Sequence, residues 1–180
     1  MNDIRSASGP IIVFAWLTAF GISCTGVTSV MKSPTPVVRG SSVAADDFQA
    51  TLAKVDAAQL EIQNGRPEAF KAIWSHADDV TLAGGFGGPV EKGWEQISRR
   101  LDWVGAQYSN GTHTHERIVA SVSGDLGYVV QTEHIRFHVP GQAKESTRDY
   151  RVTMVFRYEP EGWRIIHRQA DSVMMKQAPQ

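Results

Sequence analysis

The sequence predicts an α+β domain in which three helices precede an antiparallel sheet. In the first half of the chain, apolar residues recur at intervals of three and four, as on one face of a helix. Beyond Asn110-Gly111 the apolar period changes to two, which is typical of strands with one buried face. Helices followed by a run of strands are the signature of this fold class. With 180 residues, 42% of them hydrophobic, the chain can form one domain with a sizeable core and an appendage.

Three helices are predicted before the long strands. The first begins with Asp46 or Asp47 as its N-cap and ends at Asn64-Gly65, where the left-handed conformation is tolerated. Pro67 opens a second, short helix over residues 67–76, in the first-turn position that proline favours. The third helix covers about residues 93–108, with its apolar residues on one face.

One short strand and four long strands are predicted after the second helix. The short strand covers residues 80–82, and the glycine-rich sequence GGFGG follows it. This sequence lacks the lysine and the Ser/Thr of a phosphate-binding loop, so its glycines indicate a sharp turn or a close backbone approach. The turn sequences SGD, PGQ and EPEG separate the long strands, which should form an antiparallel meander over residues 112–123, 126–139, 147–158 and 163–171.

The N-terminal residues are typical of a targeting segment. Residues 11–22 form an apolar run of signal-peptide length, too short to span a bilayer comfortably. The sequence Ile22-Ser23-Cys24 resembles a bacterial lipobox, although Gly21 stands where leucine is usual. Lipidation of Cys24 and plain secretion are both open, and the position of the only cysteine favours lipidation. We therefore expect an exported, periplasmic protein that meets a membrane only through an N-terminal anchor.

The remaining domain boundaries follow from composition. Residues 1–24 are the predicted signal peptide, and residues 25–45, rich in Ser, Thr, Pro, Val and Gly, are a predicted linker. The folded domain should cover residues 46–173, and residues 174–180 form a tail.

Charge and cysteine content exclude several functions. The 18 basic and 19 acidic side chains are nearly balanced and form no basic block, so no nucleic-acid partner is expected. One cysteine allows neither an internal disulfide nor a multi-cysteine metal site.

Five segments resemble the SnoaL-like group of the nuclear transport factor 2-like superfamily. They are IWSHADDVTL, GWEQI, GDLGY, RVTMVFR and GWRIIHRQAD, and the likeness covers about residues 46–173. The resemblance implies a cone, with three N-terminal helices packed on a curved antiparallel sheet around a pocket, and often a homodimer through the outer face of the sheet. Activity is much less constrained, because the superfamily includes steroid isomerase, polyketide cyclases, scytalone dehydratase and non-catalytic association domains.

The steroid isomerase mechanism is not expected from this resemblance. When the isomerase motif is laid on Ala77 to Leu82, the position of its catalytic aspartate falls at Gly84. Leu60 stands about where the tyrosine of the oxyanion hole would be. Glycine cannot abstract a proton.

Candidate catalytic residues come from the last strands and from the polar turn before the first one. If no bulge intervenes, His167 and Asp171 share one face of the last strand, and Arg151 faces the same way on the strand before it. SnoaL-like sequences direct such residues into the cone, so we expect His167, Arg151 and Asp171 at the pocket or its mouth. Asp171 or Asp79 would act with His167 as an acid–base pair. Polar pairs that only satisfy one another are the favoured alternative.

Candidate ligand-binding residues are aromatic or polar groups near the same turn. Three tryptophans bracket the polar turn, and convergent aromatic side chains can wall a small-molecule pocket. For each tryptophan taken alone, ordinary core packing is the favoured interpretation. The predicted ligand-binding set is Trp74, His76, Phe86, Trp94, Trp103, Tyr128 and Arg151.

No metal or other cofactor is expected. The pairs His113/His115 and His134/His138 each lie on one face of a strand and could together hold zinc. No motif places a carboxylate among them, and solvent-facing or pocket-lining histidines are favoured.

Three functions remain open. The leading hypothesis is an exported domain that binds a small, partly apolar organic ligand in an aromatic-lined pocket. The second is a cofactor-independent isomerase, cyclase or dehydratase that uses Asp/His acid–base catalysis. The third is an interaction module that oligomerises through its sheet.

Overall fold

The computed structural model describes residues 40–172. The predicted signal peptide with Cys24, most of the predicted linker and the C-terminal tail lie outside the described residues, so these expectations stay predictions. Export and periplasmic location stay predictions with them. Within residues 40–172, no helix combines the length and the apolar character that crossing a membrane requires. The predicted homodimer is not tested by a single chain.

Three helices form, as predicted, with different bounds. Helix α1 covers Gly40–Ile62, so it begins six residues before the predicted aspartate cap. Helix α2 is a single turn, Glu68–Lys71. It ends early because the chain then joins the sheet: Ile165 N donates to Ile73 O, and Ser75 N donates to Ile165 O, both at 2.9 Å. Helix α3 covers Trp94–Gly105.

The sheet confirms the α+β class and the predicted meander. Its six strands are β1 Thr81–Ala83, β2 Glu91–Lys92, β3 Ser109–Ser123, β4 Leu126–His138, β5 Glu145–Glu159 and β6 Gly162–Asp171. Their order is β2-β1-β6-β5-β4-β3, and β3 to β6 pair antiparallel in sequence. Strand β1 pairs parallel with β6, and the short strand β2 was not predicted.

Helix α1 packs on the inner face of the curved sheet. Phe48 is fully buried there, with its ring 5.2 Å from that of Phe156 and 5.0 Å from that of Trp163. Gly127 on β4 makes this approach feasible, because a Cβ at that position would lie 2.8 Å from Phe48 Cε2. The aromatic contact therefore anchors the helix to three strands.

A bulge in β6 overturns the expected facing of the last strand. Val155 pairs with His167, whereas the next residue, Phe156, pairs with Ile165, so Ile166 is an extra residue in β6. An extra residue reverses the alternation of faces beyond it. Arg168 is consequently buried, whereas His167 and Asp171 turn away from the core.

Candidate functional site

The cone encloses a cavity of about 60 Å³ between α1, α3, the glycine-rich segment and the inner face of the sheet. Its apolar wall comes from the three helices and the neighbouring strands β1 and β6, and includes Ile62, Phe70, Leu82, Leu101, Val104 and Ala170. Its polar lining residues are Gln59, Gln63, Arg100, Tyr108, Glu133, Tyr150 and Arg168. An apolar cavity with a few convergent polar groups is the usual form of a small-molecule site.

Glu133 is the centre of the polar lining. It is 1% exposed and stands on β4 in phase with the apolar residues of that strand. Its Oε2 accepts a hydrogen bond from Arg168 Nη2 at 2.6 Å. Its Oε1 accepts from Gln131 Nε2 at 2.8 Å and from Gln59 Nε2 at 3.3 Å. The bulge in β6 makes this possible, because it turns Arg168 towards the interior.

The Glu133 network continues to the protein surface. Gln131 Oε1 accepts from Arg117 Nε at 3.2 Å, and Arg117 Nη2 donates to Asp56 Oδ1 at 2.7 Å. Asp56, on α1, is partly exposed and also lies 3.7 Å from His115 Nδ1. The interior carboxylate is thus held by a chain of polar side chains that crosses from β6 to α1.

The surroundings keep Glu133 ionised. Burial by itself raises the pKa of this carboxyl, but Arg168, His113 and Gln131 together outweigh burial and lower the pKa from 4.5 to about 2. The pKa of a useful general base lies near the working pH. Glu133 is therefore a weak base, suited to holding Arg168 rather than to removing a proton.

The two tyrosines of the cavity remain neutral donors. Burial is the main cause that raises the pKa of both Tyr108 and Tyr150. Tyr150 Oη interacts with Tyr108 and Arg148 without reaching normal hydrogen-bond geometry with either residue. This hydroxyl can therefore still donate to a molecule in the cavity.

His113 lies behind the carboxylate. Its side chain is 3% exposed, and its Nε2 is 3.8 Å from Glu133 Oε2, which is beyond hydrogen-bond distance. No other side chain among the described residues hydrogen-bonds this nitrogen. The predicted partner of His113 on β3, His115, has its ring 5.9 Å away.

The glycine-rich segment closes one side of the cavity. A Cβ on Gly85 would lie 2.5 Å from Tyr150 Cε1, so the backbone passes directly over this ring. Phe86 lines the cavity and contacts Trp103 and Tyr108, with ring centroids 5.5 and 5.7 Å away. The close backbone approach predicted for these glycines is confirmed.

Several buried polar atoms of the lining have no hydrogen-bond partner. Within residues 40–172 these are Gln63 Oε1, Arg100 Nε, Tyr150 Oη and Arg168 Nη1. Most buried polar groups in folded proteins are paired, and an unpaired group costs about 1–3 kcal/mol. Unpaired polar groups are thus concentrated in the lining of this one cavity.

The predicted catalytic residues lie elsewhere and apart from one another. Arg151 Nη2 contacts Asp171 Oδ1 at 2.5 Å, and Arg157 Nη1 contacts Asp79 Oδ2 at 2.8 Å. Both arginines stand on the outer face of β5, six residues apart, which is about 20 Å along a strand. The structure thus keeps Asp79 and Asp171 at two ends of this face. The hydrogen bond from Arg157 is the main cause of the lowered pKa of the Asp79 carboxyl.

His167 also faces away from the cavity, because the bulge precedes it. Its Nδ1 is hydrogen-bonded to Thr81 Oγ1 at 2.8 Å, and burial lowers its pKa. The expectation that Arg151, His167 and Asp171 reach the pocket is corrected by this geometry. A catalytic role for Asp79, His167 and Asp171 stays a prediction.

The predicted ligand-binding aromatics diverge. Of the predicted set, only Phe86 lines the cavity. Trp74 is 1% exposed and packs edge-on against Phe70 in the core. Trp94 stacks on the exposed His76 with ring centroids 4.1 Å apart. Trp103 and Tyr128 are exposed, on α3 and on the outer face of β4.

The interior polar residues that sequence reasoning missed carry a detectable signal. Gln131 and Glu133 stand in phase with Val129, Ile135 and Phe137, so two polar residues interrupt an apolar face of β4. On β6, Trp163 and Ile165 fall out of phase with the buried Ala170, which indicates a bulge. The paired histidines on β3 and β4 form no group of three metal-ligating residues within the described part of the chain.

Comparisons with known proteins agree with this architecture. A family model described as a SnoaL-like domain matches residues 52–176. No curated protein matches the chain at a significant level.

Solved structures with this fold are distant in sequence. A candidate dehydratase of the nuclear transport factor 2-like family from Streptomyces avermitilis is 20% identical, with a TM-score of 0.63 over 74% of this chain and 98% of that chain. A superfamily protein from Salmonella enterica serovar Typhimurium is 16% identical, with a TM-score of 0.66 over 78% and 98%. A ketosteroid isomerase-like protein from Erwinia carotovora is 16% identical, with a TM-score of 0.54 over 74% and 95%. At these identities the likeness shows the fold alone.

Proposed function

The chain belongs to the SnoaL-like domain family, and on that premise we propose that its interior cavity binds a small, partly apolar organic molecule. One observation carries the proposal: a buried Glu133–Arg168 ion pair lies in the lining of this cavity. Replacing a buried ion pair by apolar residues is often neutral or stabilising. Apolar residues could stabilise the fold as well as this pair does, so its place in a cavity lining is better explained by a ligand than by folding.

The size of the cavity limits the ligand. One water needs at least about 10–15 Å³ of such space, so a cavity of about 60 Å³ holds a molecule of only a few non-hydrogen atoms. A larger ligand requires Phe86 and its glycine neighbours to move outwards. Gly87 and Gly88 have positive φ angles, 76° and 99°, and nothing within 4 Å of an added Cβ, so this segment has space around it.

Binding is better supported than acid–base catalysis. The structural neighbours include a candidate dehydratase and a ketosteroid isomerase-like protein, which suggests such a reaction by fold alone. In the cavity, however, Glu133 is a weak base and the two tyrosines are weak acids. The polar groups of the cavity are therefore better suited to hydrogen-bonding a ligand than to transferring a proton.

The proposal is tested by filling the cavity. Ala170 lines it and is 8% exposed, so Ala170→Leu occupies part of its volume. The matched control is Gln169→Leu, one residue earlier and on the outer face. We expect native mass spectrometry of the full chain from a bacterial host to show a retained organic molecule. If it does not, a thermal-shift screen of small carbonyl and carboxyl compounds should identify a compound that raises the Tm. Ala170→Leu should abolish either signal and Gln169→Leu should keep it.

The same measurement can contradict the proposal. If no compound of the screen raises the Tm of the wild type, the cavity has no such ligand. If a stabilising compound acts equally on Ala170→Leu, it binds elsewhere on the protein.

A further inference from the structure

We propose that the cavity is a carboxylate-binding site, in which Arg168 and Arg100 hold the acid group of a short organic carboxylate. This inference rests on the proposed function, because it names the chemical class of the molecule that the cavity binds. The inference is based on the unpaired N–H groups of the two arginines, on the charge of the lining and on the size of the cavity.

Arg168 presents one free edge of its guanidinium group. Its side chain is 10% exposed, and Nη2 donates to Glu133 Oε2 at 2.6 Å. The other terminal nitrogen, Nη1, is buried and has no hydrogen-bond partner within residues 40–172. A guanidinium group has five N–H donors in a rigid plane, so one carboxylate does not satisfy it. Glu133 fixes this plane and leaves Nη1 for a second acceptor.

Arg100 reaches the cavity from α3. Its Nη2 donates to Gly87 O at 2.8 Å, and its guanidinium lies over the Trp103 ring, 4.7 Å from the centroid. Its buried Nε is 3.7 Å from Glu91 Oε1, too far for a hydrogen bond. Arg100 is thus held in place with one donor unsatisfied.

The charge of the lining favours a single negative charge on the ligand. Arg100 and Arg168 are the cationic lining residues and Glu133 is the anionic one, so the lining carries a net charge of about +1. Glu133 is ionised at neutral pH because its pKa is lowered to about 2. Glu91 lies outside the lining, but its carboxylate forms an ion pair with Arg100 across 3.7 Å and offsets part of this positive charge. A monoanion in the cavity would accept from the unpaired N–H groups of Arg168 and Arg100, and Tyr150 Oη could add a neutral hydrogen bond.

The remaining wall suits a short aliphatic chain. Phe70, Leu82, Leu101 and Val104 surround the polar groups. With about 60 Å³ available, the cavity holds the acid group and a few carbon atoms.

The test compares butyrate with butyramide, its uncharged analogue of nearly the same shape. Both are titrated into the full chain at pH 7 and followed by protein NMR shifts. We expect butyrate to bind at least about tenfold more tightly than butyramide, because hydrogen bonds between two charged groups are about twice as strong as neutral ones. Ala170→Leu should weaken both probes, which localises them to the cavity.

Arginine variants identify the groups that recognise the acid. Arg100→Met should remove the preference for butyrate while the thermal unfolding curve stays cooperative. Arg100→Gln, which keeps a polar side chain, serves if the methionine variant does not fold. Arg151→Met is the matched control, because Arg151 also lies beside a carboxylate, that of Asp171, but on the outer face. This control should keep the full preference.

The outcomes separate the inference from the proposed function. Equal affinity for butyrate and butyramide, both weakened by Ala170→Leu, overturns the carboxylate site and leaves small-molecule binding intact. Loss of the preference in Arg151→Met, with Arg100→Met unchanged, also overturns it and assigns the anion to the outer face. Binding of neither probe overturns both the carboxylate site and binding in the cavity by molecules of this size.

Discussion

Glu133 shows how one buried residue couples the fold to the site. Its carboxylate is almost without solvent contact, and its charge persists because Arg168, Gln131 and Gln59 all donate to it. Removing either member of a buried ion pair typically costs 3–5 kcal/mol, since the other charge remains buried and unpaired. The stability of the protein should therefore depend on the protonation of this single group.

We predict a loss of stability in acid that is specific to Glu133. Its folded-state pKa, about 2, lies below its ordinary value of 4.5, so its contribution is present above pH 4.5 and is lost as pH falls towards 2. At about 1.4 kcal/mol per pH unit, the loss is about 3 kcal/mol. Urea unfolding between pH 6 and pH 2 measures it as the difference between the wild type and a variant without this carboxyl, because the pKa of Asp79 is lowered as well.

The matched variant for this prediction is Glu133→Gln. It should be less stable than the wild type at pH 6 by several kcal/mol, and the difference should shrink as pH falls through the same window. Glu95→Gln, at an exposed position on α3, should follow the wild type at every pH. A constant difference between Glu133→Gln and the wild type would show that the carboxyl is not the titrating group.

Strand β6 determines which residues line the cavity. The extra residue at Ile166 places Trp163, Ile165, Arg168 and Ala170 on the inner side. A strand of the same sequence without this bulge would turn His167 inwards and Arg168 outwards. The composition of the site thus depends on a backbone irregularity as much as on side-chain identity.

We predict that thiol labelling will report the bulge. In a Cys24→Ser background, the Gln169→Cys variant should react quickly and the Ala170→Cys variant at least about 100-fold more slowly, because a buried thiol reacts only after local opening. The measurement is the rate of reaction with a chromogenic disulfide reagent. A regular strand would give the opposite order of rates.

The glycine-rich segment has one position that cannot accept a side chain. We predict that Gly85→Ala destabilises the protein by about 1–3 kcal/mol, because its Cβ would overlap the buried ring of Tyr150. Gly84→Ala is the control: its nearest contact is the flexible end of Arg100, at 3.3 Å, which can move. Chemical unfolding of the two variants tests this, and equal stabilities would contradict it.

At the scale of the whole molecule, the cone depends on α1 remaining on the sheet. Phe48 contacts aromatic rings from β5 and β6, and Gly127 of β4 lies beneath it. Farther along the helix, Gln59 reaches Glu133, and a Cβ on Gly111 would lie 2.2 Å from Gln63 O. Apolar packing at one end of the helix and polar contacts at the other therefore hold it over the cavity.

We predict that Phe48→Ala costs about 3–5 kcal/mol of unfolding free energy, the usual range for a large aromatic residue in a core. Leu60→Ala, on the same helix at a 44% exposed position, should change stability by less than about 0.5 kcal/mol. Equilibrium unfolding in urea compares the two. A similar small effect for both would show that α1 is not anchored through Phe48.

Much of the fold was predictable from local pattern. Apolar residues recur every three or four positions between Phe48 and Ile62, and this period predicts helix α1. After Asn110 they recur every two positions, which predicts strands, and the turn sequences separate those strands. Local pattern was weaker where tertiary contacts compete with helix formation. Helix α2 stops at Lys71 because Ile73 and Ser75 pair with Ile165, a residue about ninety positions away.

The sequence by itself determined the class, the order of every element except β2, the family and the need for glycine near residue 85. Only the tertiary structure decided which polar residues meet. Glu133, Arg168, Arg100 and Gln59 come from four separate elements, and the bulge at Ile166 changes the face of every residue that follows it. Periodicity records which residues are buried within one element, but contacts between elements depend on register, and one extra residue reverses the face.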